Sequence, residues 1–244
     1  MSRELISLQH ITKRFDGQTV LDDLNLTIQE NEFVTLLGPS GCGKTTTLRI
    51  IGGFESPDTG RVLFDGQDVT ALAPNKRPLN TVFQKYALFP HMDIAENIAF
   101  GLKISGKSKS YIQDKIKYAL KLVNLEGYER RSPDSLSGGQ QQRVAIARTR
   151  VQQARIVLAD EPVASLDPVT SETILTDLKR MNQDDGTTVL ISIHSVGFAK
   201  KYADRIIGMR RGTVVFDGTP AQLTDDMFRH IYEGDDAGKT GERS

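Results

Sequence analysis

The segment GPSGCGKTT at 38–46 constrains this chain more than any other part of its sequence. It fits the pattern G-x-x-x-x-G-K-[ST], and it stands directly after the apolar run FVTLL and directly before the helix-like TTTLRII. A strand that leads through such a loop into a helix is the context in which this pattern binds phosphate. The alternative is a glycine-rich turn that only caps a helix. The strand, the spacing and the lysine together favour the phosphate-binding loop.

Each residue type in this loop suits phosphate binding. Gly38, Gly41 and Gly43 allow backbone N–H groups to turn inward around phosphate oxygens, which a Cβ atom would hinder. Lys44 supplies a positive charge to the outer phosphates, and the start of the helix adds the positive end of its dipole. Thr45 offers a hydroxyl to Mg²⁺. The other loop residues expected to line the nucleotide are Pro39, Ser40, Cys42 and Thr46.

Composition narrows the class of protein. Lysine plus arginine equals aspartate plus glutamate at 31 each, so no overall basic field indicates a nucleic-acid partner. The sequence has no apolar run of the ~18 residues that a membrane span requires, and its N-terminus lacks the apolar block of a signal peptide. Cys42 is the single cysteine. It excludes an internal disulfide, and we interpret it as a small filler residue rather than a redox sensor. We expect a soluble protein of the cytosol.

The order of apolar segments predicts an α/β fold. Buried parallel strands are indicated by three near-continuous apolar runs, which are FVTLL, ARIVLA at 154–159 and TTVLISI at 187–193. A helix candidate follows each run, namely TTTLRII, SETILTDLKRMN and VGFAKKYADRI. Antiparallel strands are indicated by alternating segments in the opening third, which are SLQHITKRF, TVLDDLNLTI and GRVLFDGQDVT.

The middle and the end of the chain read differently. Residues 92–134 lose the strand signal and predict helices, so we expect a helical subdomain of about 88–150 inserted within one domain spanning 1–235. Residues 236–244 are polar and predict a disordered tail. The tripeptide FDG occurs at 15–17, 64–66 and 216–218, and turn chemistry is favoured for the last two copies.

The segment RIVLADEP at 155–162 has an apolar run that is followed by two adjacent carboxylates. Asp160 suits a Mg²⁺ ligand, and Glu161 suits the orientation or deprotonation of an attacking water. A helix cap before Pro162 is the alternative, and the phosphate loop elsewhere in the chain favours the catalytic interpretation. Gln84, after NTVF, is a candidate to sense the γ-phosphate, the Mg²⁺ or the water. His194, after VLISI, is a candidate to contact the γ-phosphate, although a lone histidine is more often structural.

A second glycine-rich helix start, SLSGGQQQR at 135–143, raises a question. Ser137, Gly138 and Gly139 would expose N–H groups that hold an anion well. Only one lysine-bearing loop is present, however, so only one complete phosphate site can be built within the chain.

Taken in order, these motifs identify a family. GPSGCGKTT, FQKYALFPHM, LSGGQQQR, VLADEP with ASLD, and IH resemble the ATP-binding subunits of ABC transporters over nearly the whole chain. The resemblance implies a P-loop NTPase fold with a RecA-like, mostly parallel core sheet, an antiparallel β subdomain and an inserted helical subdomain. It also implies that the protein binds and hydrolyses ATP with Mg²⁺.

The resemblance further implies roles for single residues. Phe15 stacks on adenine, Gln84 belongs to the loop that contacts the metal and the membrane partner, and His194 is the switch histidine. Lys44, Glu161 and His194 form the catalytic set, and Thr45, Gln84 and Asp160 hold the metal. Each chain also contacts the nucleotide that is held by the other chain, through Ser137, Gly138, Gly139, Gln140 and Asp167. After the switch histidine this sequence has Ser195, where the family often has aspartate or glutamine.

The partners implied are those of an importer. Two chains, as a homodimer or a pair with a second ATPase subunit, face head to tail with ATP between them. They dock on transmembrane permease subunits at the cytoplasmic face of the inner membrane, and an extracytoplasmic solute-binding protein acts indirectly. A non-transport ABC ATPase and a nucleotide-sensing binding module are the alternatives.

Two import subfamilies are resembled. Residues 1–145 look like polyamine (spermidine/putrescine) importer ATPases, and the stretch from ADEPVASLDP to RHIYEGD looks like phosphonate importer ATPases. The chain ends near residue 244, without the additional C-terminal β-domain that polyamine-type subunits usually carry, which favours the phosphonate type for that part.

Overall fold

The computed structural model describes residues 3–83 and 87–232, and it confirms the α/β character of the chain. Its strands are β1 (Glu4–Phe15), β2 (Gln18–Gln29), β3 (Phe33–Leu37), β4 (Thr59–Phe64), β5 (Gln67–Asp68), β6 (Asn80–Val82), β7 (Ile156–Asp160), β8 (Thr188–Ser192), β9 (Arg205–Arg210) and β10 (Thr213–Gly218). Its α-helices are α1 (Lys44–Gly52), α2 (Ile94–Ile104), α3 (Lys109–Leu122), α4 (Gly138–Val151), α5 (Pro168–Asp185), α6 (Val196–Tyr202) and α7 (Asp225–Tyr232).

The described chain divides into two compact units. The first unit is formed by the described parts of 1–77 and 190–244, and the second by those of 78–189. The boundary falls within β8, so this strand begins in the second unit and ends in the first. Of the helices that the structure describes, none combines the length and the apolar character needed to cross a bilayer.

The first unit contains two kinds of strand pairing. One sheet has the order β2-β1-β4-β5 and is antiparallel, as the alternating segments predicted. In the other group β3 runs parallel to β9, and β9 runs antiparallel to β10. All five residues of β3 are buried, which is the burial that its continuous apolar sequence predicted.

The FDG tripeptides take two different conformations. At 15–17 and 64–66 the aspartate and the glycine both have positive φ angles, which makes these copies tight hairpin turns. At 216–218 the prediction of a turn is wrong, because these residues complete β10. There the Asp217 carboxylate accepts hydrogen bonds of 2.6 Å from both Nε and Nη2 of Arg205 on β9, so a cross-strand ion pair stabilises the extended conformation.

The second unit holds the helices predicted for residues 92–134. Helices α2, α3 and α4 share one apolar core that extends from Ile94 to Val151 and includes Leu120 and Val144, all nearly or fully inaccessible to solvent. Strand β6 runs parallel to β7. The delimitation of these helices as an inserted subdomain of about 88–150 stays a prediction.

One predicted helix is shorter than its sequence suggested. The segment VGFAKKYADRI begins as α6 at Val196, but the helix ends at Tyr202 and the chain enters β9 at Arg205. Asp204 explains the break, since its carboxylate accepts a hydrogen bond of 2.9 Å from the backbone N–H of Phe33 and thereby ties this turn to the start of β3.

Candidate functional site

The loop between β3 and α1 uses its glycines for backbone conformation and for close packing. Gly38, with φ of 154°, lies so near β9 that an added Cβ atom would come within 2.3 Å of the carbonyl oxygen of Met209. Gly43, with φ of 108°, would place such an atom 2.5 Å from Leu21 Cδ2. At Gly38 the conflict is with backbone, so a larger residue is excluded on steric grounds, whereas at Gly43 the φ angle itself is one that residues with a Cβ atom rarely adopt.

Lys44 is buried at the start of α1, although lysine is rarely buried in proteins. Its Nζ donates hydrogen bonds to the carbonyl oxygens of Gly38, at 2.7 Å, and Pro39, at 3.0 Å. The ammonium is thus held against the concave backbone of the loop by neutral acceptors. Phosphate oxygens would be stronger partners for this charge than these carbonyls are.

The start of α1 differs from that of the helices after it. Its N-cap is Gly43, and no side chain caps it. By contrast, α2 to α6 are each capped by a side-chain oxygen, from Asp93, Ser108, Ser137, Asp167 and Ser195 in turn. An anion can take the place that a capping side chain fills elsewhere, so the beginning of α1 suits a phosphate. Thr45 and Thr46 lie half-buried in this first turn.

Cys42 is buried within the loop, and burial raises the pKa of its thiol. A thiol that stays protonated reacts slowly with oxidants, which agrees with a packing role rather than a redox role. Phe15 lies on the same unit, at the end of β1, and 42% of its surface is exposed. Lys13 Nζ lies over the ring at 5.0 Å from its centroid, and the exposed part of the ring is available for stacking with a planar ligand.

The two carboxylates lie in the second unit, where β7 ends. Asp160 is the last residue of β7, and Glu161 follows it with a φ angle of 45°. A glutamate in this left-handed region is strained, and such strain concentrates at functional sites. The buried Gln142 of α4 donates a hydrogen bond of 2.9 Å from Nε2 to the carbonyl oxygen of Pro162, so the turn after the carboxylates is tied to α4. Sequence reasoning missed Gln142, because a glutamine in a QQQ run carries no signal of burial.

The glycine-rich start of α4 is a side-chain-capped helix N-terminus. Ser137 Oγ accepts from the Gln140 N–H at 3.4 Å, and Gln140 Oε1 accepts from the Ser137 N–H at 3.0 Å. This reciprocal pair satisfies two backbone donors and leaves the first-turn amides of Gly138 and Gly139 to other acceptors. Gly139 is buried, and a Cβ atom there would lie 2.3 Å from Thr170 Cγ2. Packing against α5 therefore accounts for this glycine independently of any anion.

Asp167 connects the same region to α5. Its Oδ1 accepts from the Thr170 N–H at 2.9 Å and caps the helix. Two hydrogen bonds from Thr170 lower the pKa of Asp167: the bond from its hydroxyl contributes most, and the bond from its backbone N–H contributes next. This carboxylate therefore stays ionised at neutral pH. Ser165, two residues earlier, has a positive φ of 66°.

His194 lies in the first unit two residues after the end of β8, and the residue is exposed. Ser195 caps α6, since its Oγ accepts from the Phe198 N–H at 3.3 Å. Aspartate is an equally good N-cap residue, so the serine in place of the family's frequent aspartate preserves the helix start. Gln84 lies outside the described residues.

The predicted site residues thus fall into two sets. The first unit holds Phe15, the loop at 38–46 and His194; the second unit holds Asp160, Glu161, the segment 137–140 and Asp167. A family model described as ABC transporter matches residues 21–164, which is more than half of the chain. The chain belongs to the ABC transporter family.

Curated proteins of similar sequence match nearly the whole chain. The spermidine/putrescine import ATP-binding protein PotA of Clostridium novyi is 49% identical over 226 residues, which cover 93% of this chain and 65% of that protein. The chain therefore spans about two thirds of the length of that ABC transporter protein. Because the match covers 93% of the chain, the likeness to polyamine-type proteins is not confined to residues 1–145.

Solved structures show the same ABC fold. A dimeric, post-hydrolysis state of the ATP-binding cassette MJ0796, bound to ADP and phosphate, is 34% identical, has a TM-score of 0.79, and is matched over 88% of this chain and 99% of that one. The structure of cbiO1 from Clostridium perfringens, part of the ABC transporter complex cbiONQ, is 27% identical with a TM-score of 0.83 over 94% of both chains. The P-loop ABC fold expected from the sequence is confirmed.

The donor set of this ABC protein fits Mg²⁺. Thr45 and Asp160 offer a hydroxyl and a carboxylate, which are the hard oxygen ligands that Mg²⁺ prefers. Within 3–83 and 87–232 no group of three or more histidine, cysteine, aspartate or glutamate side chains could hold a metal ion.

Proposed function

We propose that this chain is the ATP-hydrolysing, energy-coupling subunit of an ABC importer, and that the imported solute is a polyamine. The observation that carries the proposal is the loop at 38–46. It combines a buried lysine held by carbonyl oxygens with a helix start that has no side-chain cap. A nucleoside triphosphate supplies the anionic oxygens that this arrangement accommodates.

Nucleotide binding uses the first unit. The ammonium of Lys44 and the first-turn amides of α1 take the outer phosphates of ATP, and the exposed ring of Phe15 stacks on adenine. His194 contacts the γ-phosphate. Thr45, Gln84 and Asp160 hold Mg²⁺, which neutralises phosphate charge when bound.

Hydrolysis uses Glu161 of the second unit, whose backbone has a positive φ angle. Glu161 orients the attacking water and accepts its proton, a role worth roughly 10²–10⁴-fold in rate for a positioned general base. Such a site accelerates hydrolysis mainly by positioning the reacting groups and neutralising charge, because phosphoryl transfer needs little covalent chemistry from the protein.

The glycine-rich start of α4 completes the site of a second chain. Two chains face head to tail, and the segment 137–140 with Asp167 of each chain contacts the ATP held by the loop of the other. The capping box supports this role, because it orders the helix start while leaving the amides of Gly138 and Gly139 to an anion. ATP binding favours the closed dimer, and loss of the γ-phosphate contact releases it.

The partners of the closed dimer are two permease subunits in the inner membrane. The chain docks on their cytoplasmic side, and a solute-binding protein outside the membrane supplies the solute without touching the ATPase. The relative named for spermidine/putrescine import supports a polyamine, and a phosphonate is the second candidate. A non-transport ATPase and a nucleotide-sensing module are the alternatives that the following experiments address.

Two single substitutions test the ATP site. Lys44→Ala is expected to abolish ATP binding and turnover, and Glu161→Gln is expected to bind ATP, hydrolyse it roughly 10²–10⁴-fold more slowly, and accumulate as a dimer on size exclusion. Unchanged hydrolysis in Lys44→Ala would overturn the site assignment. A wild-type chain that binds ATP without turnover would instead support the sensing module.

A mixing experiment tests the shared site. Chains with Ser137→Arg and chains with Lys44→Ala are each inactive as homodimers, but a mixed dimer retains one intact site, so mixing is expected to recover part of the activity. Recovery in no mixture would contradict the arrangement in which one chain completes the site of the other, provided that the wild-type chain is active.

The solute is tested through the permease. Co-expression of the full chain with a polyamine-type or a phosphonate-type permease, followed by affinity purification, is expected to yield a complex with the polyamine type. A complex with the phosphonate type alone would overturn the choice of solute and leave the ATPase proposal intact.

A further inference from the structure

The last turn of α7 is fastened to β9. Ile231 is fully buried, and it packs so closely on Gly208 that an added Cβ atom there would lie 2.5 Å from Ile231 Cδ1. Arg210 Nη1 donates a hydrogen bond of 2.8 Å to the carbonyl oxygen of His230. These contacts hold the adjacent Tyr232 in a defined place.

Tyr232 faces the phosphate loop from this position. Tyr232 and Ile231, together with Arg210 and residues 39–42 of the loop, line a cavity of about 210 Å³. The Tyr232 ring also stacks at a tilt on Phe228, with 4.7 Å between the centroids. The ring is therefore held by its own helix and lines the same cavity as the loop.

The Tyr232 hydroxyl joins two parts of the proposed ATP site. It donates to the carbonyl oxygen of His194 at 3.3 Å, and it accepts a hydrogen bond from the backbone N–H of Gly38. Burial raises the pKa of Tyr232 above its ordinary value, so the hydroxyl stays protonated at neutral pH and remains able to donate.

The backbone around His194 is thereby held in three places. The N–H of Ile193 donates to the carbonyl oxygen of Leu36 at 3.2 Å, Ser195 caps α6, and the carbonyl of His194 itself is bound by Tyr232. These contacts set the backbone position from which the exposed side chain of His194 extends. A small shift of this backbone position displaces the reactive group by a similar amount, which lowers the rate of a positioned reaction.

We infer that Tyr232 is a positioning residue of the ATP site, which fixes the backbone of His194 relative to the first glycine of the phosphate loop. The inference rests on the proposed function, since His194 acts on the γ-phosphate only if the chain hydrolyses ATP. Tyr232 does not touch the nucleotide in this role. It acts through the two backbone groups that it bridges.

The test is Tyr232→Phe in the full chain, which keeps the ring and removes the hydroxyl. The kcat of ATP hydrolysis is expected to fall roughly three- to tenfold, as the loss of one hydrogen bond allows, while KM for ATP changes less than about twofold. Tyr118→Phe, on α3 of the second unit, is the matched control and is expected to leave both constants unchanged. An unchanged kcat in Tyr232→Phe, with or without a lower melting temperature, would reduce Tyr232 to a structural role and overturn the inference.

A second readout needs no turnover. Amide hydrogen exchange at Gly38 is expected to be roughly three- to tenfold faster in Tyr232→Phe than in the wild type, because its acceptor is lost, and unchanged in Tyr118→Phe. Equal exchange rates in the wild type and Tyr232→Phe would overturn the contact itself. If the wild-type chain hydrolyses no ATP, the proposed function fails, while the exchange measurement still decides whether Tyr232 holds the loop.

Discussion

Gly139 offers a sharp test of the packing between α4 and α5. A Cβ atom at this position would lie 2.3 Å from Thr170 Cγ2, whereas Thr170 Cβ and Oγ1 are at 3.6 and 3.7 Å. A single methyl group of Thr170 is therefore responsible for the conflict. Gly139→Ala is expected to destabilise the protein, and removing that methyl group is expected to restore the stability.

The magnitude follows from two opposing terms. Overpacking of this kind typically costs about 1–3 kcal/mol. Alanine in place of glycine within a helix contributes up to about 1 kcal/mol in the other direction. We therefore expect Gly139→Ala to lower the free energy of unfolding by about 1–2 kcal/mol. In the Thr170→Ser background the same change is expected to be neutral or to stabilise by up to about 1 kcal/mol.

The assay is urea unfolding of the wild type, the two single variants and the double variant, analysed as a double-mutant cycle. Serine is the suitable replacement because it keeps the hydroxyl that bonds to Asp167, and with it the cap of α5. The coupling free energy between the two sites is expected to be about 1–3 kcal/mol. A stable Gly139→Ala protein, or the same loss in both backgrounds, would refute the reasoning that packing requires glycine here.

Three further outcomes follow from buried polar groups. Arg77 is buried and donates to the carbonyl oxygens of Ile50 and Ile51 at the end of α1, both at 2.7 Å, so Arg77→Met is expected to destabilise the protein by about 3 kcal/mol in urea unfolding; an unchanged midpoint would contradict this. Burial raises the pKa of Asp177, so the stability that its protonated form contributes is lost as pH rises through that raised pKa, and Asp177→Asn is expected to raise the urea midpoint more at pH 8 than at pH 4. An equal gain at both pH values would count against a charged, buried Asp177. Cys42 is expected to react with a thiol reagent at least about tenfold more slowly in the native protein than in urea, and rapid native labelling would revive the redox alternative.

Most of the correct predictions concern features that depend on residues near one another in the sequence. The strand, loop and helix at 33–52 depend on residues adjacent in the sequence, because an apolar run, three glycines and a helix-forming segment each favour their own conformation without distant partners. The helices of 92–134 and the antiparallel pairing of the opening third were likewise predicted from periodicity alone. Family membership followed from motif order, which needs no coordinates.

The structure corrected patterns that depend on distant partners. Identical FDG tripeptides form turns at 15–17 and 64–66 but a strand at 216–218, where Asp217 pairs with Ile207 in the register of β9 and β10 and binds Arg205 of β9. The end of α6 is decided in the same way, by the bond from Phe33 to Asp204 across 171 residues of sequence. Propensity is a weak signal, and tertiary contacts override it.

The sequence by itself identified the candidate functional groups. They are one lysine-bearing loop, one pair of carboxylates after a strand, and a second glycine-rich helix start for which the chain has no second lysine-bearing loop. Only the tertiary structure decided how those groups are supported. A methyl group on α5 lies 2.3 Å from where a Cβ atom of residue 139 would be, Gln142 ties α4 to the turn after the carboxylates, and Tyr232 bridges Gly38 and His194 from the last described helix. The type of a residue limits which contacts it can make, but close packing in the folded chain decides which residues make them. The two partners can be far apart in the sequence, since Gly38 and Tyr232 are separated by 194 residues.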